Sequence, residues 1–110
     1  MSILLLIPAG TVPGAWAAGC DVATYASGDE VIRALKRTFD AAVLVSDGLP
    51  GESLDAVAAA VSASGRSVIE VRTERWDGAS HSALSAACRG VISGFGLAGV
   101  REAIRALTAP

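Results

Sequence analysis

The residues best equipped for chemistry lie in one stretch, from Arg72 to His81. Arg72 and Arg75 could together bind a carboxylate, because a guanidinium group matches its two oxygens. Glu74 and His81 are candidates for a general base or acid, and the ordinary pKa of histidine suits that work. The ligand class that this stretch predicts is therefore a small polar carboxylate.

The same residues also have structural interpretations. A lone histidine is a weak signal for catalysis, and the more frequent interpretation of His81 is a surface residue at the start of a helix. Arg72 and Arg75 could instead belong to a solvated loop in which they pair with Glu74 and Asp77. Residues 46–48 form either part of a site or, more commonly, an ordinary Asp-Gly turn.

Alternating strands and helices must position these residues. Ile3–Ile7 is apolar at every position, as the centre of a parallel sheet requires. Three more strands are predicted, over Asp21–Ala26, Ala42–Val45 and Ser67–Val71. One helix is predicted from the capping box of Ser27 and Glu30 to about Thr38, and a second over Ser53–Ser64, with Gly65 ending it. The remainder, from Ser82, is predicted as a glycine-broken helical segment followed by a helix over Val100–Leu107.

This order of elements predicts a three-layer α/β sandwich of the flavodoxin-like kind, with a small parallel sheet in one domain over residues 1–110. In such sheets, ligands bind beyond the carboxyl ends of the strands. Three segments should therefore border any site: Ala9–Gly19, Ser46–Gly51 and Arg72–His81.

The amino-acid composition limits the classes of binding partner and cofactor that we expect. The chain has 110 residues, of which 52% are hydrophobic and 18% charged, and its net charge is -2. This charge gives no basic footprint for nucleic acid, and the apolar excess predicts that some surface is buried in a homo-oligomer. Trp16 and Trp76 suit such an interface, although stacking on a ligand is an alternative. Cys20 and Cys88 lack metal-ligand spacing, so we expect free thiols and neither a metal nor another cofactor.

The amino-terminal segment indicates where in the cell the protein is expected. Residues 1–20 are apolar and end in a sequence faintly like a lipoprotein cleavage site, Ala17-Ala18-Gly19-Cys20. A secretory signal would need a basic start and an uninterrupted apolar core, whereas this segment has no Lys or Arg and is broken by proline and glycine. No run approaches the ~18 apolar residues of a membrane span. We therefore expect a cytoplasmic protein with no membrane contact.

The run Ser82–Val100 carries four glycines, at positions 90, 94, 96 and 99, in an apolar context. Each would cost about 1 kcal/mol relative to alanine in a helix, so close backbone packing is the usual explanation. The pattern Ser-x-x-Ser followed by Gly-Val-Ile-x-Gly-x-Gly-x-x-Gly resembles the carboxyl-terminal signature of type II 3-dehydroquinate dehydratases. Val68–Val71 is similar to that family's last strand, and Asp40–Gly48 to its strand ending in Asn-Pro-Gly.

The resemblance implies a lyase of the shikimate pathway that removes water from 3-dehydroquinate, assembled as trimers or dodecamers. It places Ser46, Arg72, Thr73, Arg75 and Ser82 against the substrate. The candidate catalytic groups, His81 and Glu74, are suggested by their own chemistry, and His81 matches a family position with no established catalytic role. The first loop, however, lacks the family's asparagine, arginine and lid tyrosine, and Ser46 replaces another asparagine. We therefore expect dehydration to be lost or altered.

Two alternatives to an enzyme remain. One is a non-catalytic subunit that assembles with a complete dehydroquinase. The other is an unrelated flavodoxin-like binding module, such as a receiver or a flavin-binding domain. Against this second alternative, the acidic pair expected after the first strand of a receiver is absent, and the first loop lacks the Ser/Thr-rich run of a flavodoxin.

Overall fold

The computed structural model describes residues 1–74 and 83–109. A parallel sheet of five strands runs through the centre in the order β2-β1-β3-β4-β5. The strands are β1 (Ile3–Pro8), β2 (Asp21–Tyr25), β3 (Ala41–Val45), β4 (Ser67–Arg72) and β5 (Gly90–Ser93). Strands β1 and β3 lie inside the sheet and are buried on both faces, because their side chains are apolar at nearly every position.

Four helices cover the two faces of the sheet: α1 (Gly28–Ala34), α2 (Leu54–Ser64), α3 (Ala83–Ala87) and α4 (Gly99–Thr108). Helices α1 to α3 pack on one face, around a cluster that includes Val31, Val57 and Leu84. The other face is covered by α4 and by the 3-10 turn Ala15–Ala17 in the β1–β2 connection. The predicted flavodoxin-like three-layer architecture is therefore confirmed.

The predicted helix boundaries are confirmed in part. The Ser27 hydroxyl accepts a hydrogen bond from the Glu30 N–H at 3.3 Å, which caps α1. Gly65 ends α2 in the left-handed conformation, at φ +65°. Helix α1, however, ends at Ala34 rather than near Thr38, because the Lys36 and Arg37 N–H groups bond to the carbonyls of Arg33 and Ala34 in a tighter turn.

The prediction of a glycine-broken helical segment after Ser82 is wrong at Gly90–Ser93, whereas the helix predicted over Val100–Leu107 is confirmed as part of α4. Within the described part of that run, Gly90–Ser93 forms β5, which pairs in parallel with β4. Its two central residues, Val91 and Ile92, are β-branched and suit a pleated strand. Gly94 and Gly96 follow with φ of +84° and +57°, which breaks the backbone between β5 and α4.

Across residues 1–74 and 83–109, none of the helices combines the length and the apolar character that a bilayer span requires.

Helix α1 approaches the start of α2 closely at Gly28. A Cβ atom at this position would lie 2.6 Å from the Cβ of Ser53, whereas one at Gly51 would meet nothing within 4 Å. We expect Gly28→Ala to lower the free energy of unfolding by about 1–3 kcal/mol, because overpacking outweighs the helix propensity of alanine. Urea denaturation measures the change, and Gly51→Ala is the control, expected within about 0.5 kcal/mol of wild type. Equal stability of the two variants would contradict this packing.

Candidate functional site

The candidate site lies at the carboxyl edge of the sheet, between β1 and β3. These strands are neighbours, but the chain leaves them in opposite directions, toward β2 from β1 and toward β4 from β3. A sheet of this order binds ligands at that switch point. The residues that follow the two strands are therefore the natural lining of a site, namely 9–11 and 46–48.

Tyr25, at the end of β2, fills this crevice from the α1–α3 side. Its hydroxyl donates a hydrogen bond to the Val45 carbonyl at 2.5 Å and accepts one from the Gly48 N–H at 3.3 Å. Gly48 in turn packs so closely on Pro8 that a Cβ atom there would lie 2.8 Å from the proline Cβ. The switch point is consequently occupied by the chain's own atoms.

The Tyr25 phenol is held in its neutral form. Desolvation by burial raises its pKa far above the ordinary value, and the charges of Asp47 and Glu70 act in the same direction. The hydrogen bond from the Gly48 N–H lowers the pKa but does not outweigh burial. Tyr25 is therefore a structural hydrogen-bonding group at neutral pH and not a base.

Glu70 forms the second polar centre of the edge. It is 1% exposed, and no other charged side chain among the described residues is buried. Its Oε2 accepts hydrogen bonds from the Ser46 hydroxyl at 2.5 Å and the Arg72 Nε at 2.9 Å, and its Oε1 accepts one from the Ser85 hydroxyl at 2.9 Å. These bonds join β3, β4 and α3, and they compensate the desolvation of the carboxylate.

Ser46 and Arg72, which were predicted to bind a substrate, lie close together. Both donate hydrogen bonds to Glu70. The Arg72 guanidinium also donates from Nη2 to the Ser85 hydroxyl at 2.8 Å, and its side chain is only 23% exposed. Both predicted groups are thus engaged inside the domain. Their predicted role toward a substrate stays a prediction.

A separate contact closes the edge between β3 and β4. The Thr73 N–H and hydroxyl both donate to the Asp47 carboxylate, at 3.0 Å and 3.1 Å. Glu74 follows as an exposed residue. Three other predicted site residues, Arg75, His81 and Ser82, lie outside the described residues.

The sequence analysis missed three residues that organise the edge: Tyr25, Glu70 and Ser85. Glu70 carried a usable signal, since it is a lone charge in the otherwise apolar run Val68–Val71. The roles of the other two depend on contacts across the sheet, which the linear sequence does not display. Across the described ranges, His, Cys, Asp and Glu side chains form no group of three or more that could hold a metal ion.

Comparison with known proteins adds a structural likeness and no sequence family. No protein-family model matches the chain, and no curated protein matches it. One similar solved structure is the response regulator receiver protein from Burkholderia phymatum. The likeness has a TM-score of 0.67 at 19% sequence identity and covers 97% of this chain and 94% of that one. The two chains share a flavodoxin-like α/β fold.

This likeness overturns the resemblance to type II dehydroquinases. The glycines that suggested it have local roles: Gly94 and Gly96 take positive φ after β5, and Gly99 lets α4 approach Val71 and Ile92. Turns and close packing in this fold therefore explain the glycine spacing. The predicted lyase activity and shikimate pathway are therefore not supported. The predicted trimer or dodecamer stays a prediction.

Glu70 allows a direct test of the buried network. We expect Glu70→Ala to lower the free energy of unfolding by about 3 kcal/mol or more, because it breaks the buried ion pair with Arg72 and removes the acceptor of the Ser46 and Ser85 hydroxyls. Ser46→Ala should cost about 1 kcal/mol, the typical value of one hydrogen bond. Urea denaturation measures both, with the exposed Glu52→Ala as a control. A cost below about 1 kcal/mol for Glu70→Ala would show that the network does not stabilise the fold.

The Cys88 thiol should make the free energy of unfolding fall as the pH becomes alkaline. Burial, reinforced by the charge of Glu70, raises the pKa of its thiol from 9.0 to about 12. The folded state thus keeps the proton to higher pH than the unfolded state, and stability should fall as pH rises from about 9 toward 12. For this half-buried group we expect a loss of up to about 1 kcal/mol between pH 8 and pH 10. Urea denaturation should show a smaller loss for Cys88→Ala; an identical pH profile would contradict the account.

Proposed function

We propose that this chain is a non-catalytic, flavodoxin-like binding module that acts through its protein surface. The observation that carries the proposal is the filled switch point between β1 and β3. Tyr25 and Gly48 occupy the crevice in which this fold class otherwise takes its ligand. A small molecule would have to displace Tyr25 from two hydrogen bonds in order to enter.

The polar groups of the edge support the same conclusion. Glu70 is surrounded by Ser46, Arg72 and Ser85, and Asp47 is bound by Thr73. A general acid or base must reach a substrate proton within hydrogen-bonding distance. These groups instead satisfy one another, as expected of a network that stabilises a fold.

Exposed apolar side chains favour a protein as the partner. Val12 is 81% exposed and Phe95 is 66% exposed. Aromatic residues are enriched at protein interfaces, and a composition that is 52% hydrophobic suits a chain that buries surface against another. The expected homo-oligomer therefore remains part of this proposal.

A cytoplasmic location also belongs to the proposal. Cys20 and Cys88 are free thiols. Reducing compartments maintain cysteines in that form, whereas secreted chains of this size commonly carry disulfides.

Thermal denaturation tests the proposal directly. The probes are flavin mononucleotide and a panel of small carboxylates that includes 3-dehydroquinate, each at millimolar concentration. A ligand present at a hundred times its Kd stabilises a protein by about 2.7 kcal/mol, which raises the Tm of a domain of this size by roughly 10 °C or more. We expect no probe to change the Tm. A saturable increase that is altered in Tyr25→Phe would show that the crevice binds a small molecule and would overturn the proposal.

A further inference from the structure

Charge is distributed unequally along the strand direction, although Asp21 and Asp40 lie at the amino end and Arg72 and Arg101 at the carboxyl end. Six of the cations lie at the amino end of the sheet, which we call the basic end: Arg33, Lys36, Arg37, Arg66, Arg89 and Arg105. Seven carboxylates lie at the opposite, acidic end: Asp29, Glu30, Asp47, Glu52, Asp55, Glu74 and Glu102. The distribution follows in part from α1 and α4. Each begins at the carboxyl edge with at least one acidic residue and ends at the amino edge with a basic residue, as the helix dipole favours.

The acidic end carries an exposed aromatic residue. Phe95 follows β5, is 66% exposed, and borders a shallow groove with Ile92, Ala98 and Glu102. We call these four residues the Phe95 surface. It combines a large apolar side chain with a carboxylate, in a position where neither is covered by the described part of the chain.

The basic end carries a complementary cleft. It lies between α1 and α2, and its lining includes Ile32, Leu35, Lys36, Ala60, Ala63 and Arg66. We call this set the α1–α2 cleft. Its floor is aliphatic, while Lys36 and Arg66 supply cations at the rim, and the Arg66 guanidinium is already held 5.0 Å from the centre of the Phe39 ring. The cleft therefore offers an apolar pocket with fixed positive charge.

We propose that the Phe95 surface of one copy of this chain docks into the α1–α2 cleft of a second copy. Phe95 would enter the aliphatic floor, and Glu102 would lie against Lys36 and Arg66. The Glu102–Arg105 ion pair within one chain is exposed on both sides, so exchanging it for the intermolecular pair costs little. This proposal rests on the module acting through its protein surface, and it specifies the partner as a second copy.

The geometry of the contact determines the type of assembly. The two surfaces lie at opposite ends of the molecule, so the contact is heterologous and runs head to tail. Each added copy presents a free acidic end and a free basic end, which leads to a ring if the rotation closes and to a filament otherwise. The charge separation of successive copies is also aligned, which favours the same direction of stacking.

Sedimentation velocity on the purified full chain tests the proposal. We expect the average mass to rise with protein concentration at 0.1 M NaCl and to fall at 1 M NaCl, since the Debye length shortens from about 10 Å to about 3 Å. Phe95→Ala should weaken association by about thirtyfold or more, the loss typical of an aromatic interface hot spot. Lys36→Glu should weaken it by about tenfold through charge repulsion. Arg101→Glu, the same charge change outside both surfaces, is the control and should leave association unchanged.

Exchanging charges between variants makes the test specific. Lys36→Glu and Glu102→Lys should each associate weakly alone, whereas their equimolar mixture should associate again, because each variant then meets a complementary end of the other. The four replaced side chains, those of Lys36, Phe95, Arg101 and Glu102, are all exposed, and far-UV circular dichroism should confirm unchanged folding. A chain that stays monomeric at low salt, or that associates equally well as Phe95→Ala and Lys36→Glu, overturns the head-to-tail contact. If no probe then changes the Tm either, the binding-module proposal stands while its second-copy partner is excluded.

Discussion

The Glu70 carboxylate lies inside an apolar layer, and the arrangement of the carboxyl edge depends on how its charge is compensated. A buried ion is costly unless hydrogen bonds and an opposite charge replace its water. Ser46, Arg72 and Ser85 do this from three different elements, so the ends of β3 and β4 and the position of α3 are determined together. Groups that the sequence suggested for binding a substrate are thereby engaged in holding the edge closed.

Local sequence signals predicted much of the fold. The uninterrupted apolar runs of β1 and β3 indicated central parallel strands, and Ser27 and Gly65 marked helix ends whose geometry is confirmed. The last strand could not be predicted in the same way. Gly90–Ser93 is short and half-buried, and it is recognisable as a strand only through its pairing with β4. The shorter α1 likewise reflects a tight turn that propensity does not specify.

The candidate site was less predictable than the fold, for a physical reason. Ser46 and Arg72 were correctly expected at the carboxyl edge, but their shared partner, Glu70, was not. Ser46 donates to Glu70 from 24 positions away, at the end of β3, and Arg72 donates to it within β4. The glycine pattern of residues 90–99 misled the family assignment because turn and packing requirements produce the same spacing in unrelated structures. A motif of this kind indicates local geometry and needs chemically active residues beside it before it indicates an activity.

Hydrogen exchange at the Gly48 amide measures most directly whether the switch point is filled. In this account the Tyr25 hydroxyl accepts the Gly48 N–H, while the Thr73 N–H is held independently by Asp47. Amide exchange followed by NMR should show protection of both groups in the wild type, and loss of protection at Gly48 but not at Thr73 in Tyr25→Phe. Exchange of the Gly48 amide at the rate of a free peptide in the wild type would show an open crevice and contradict the account.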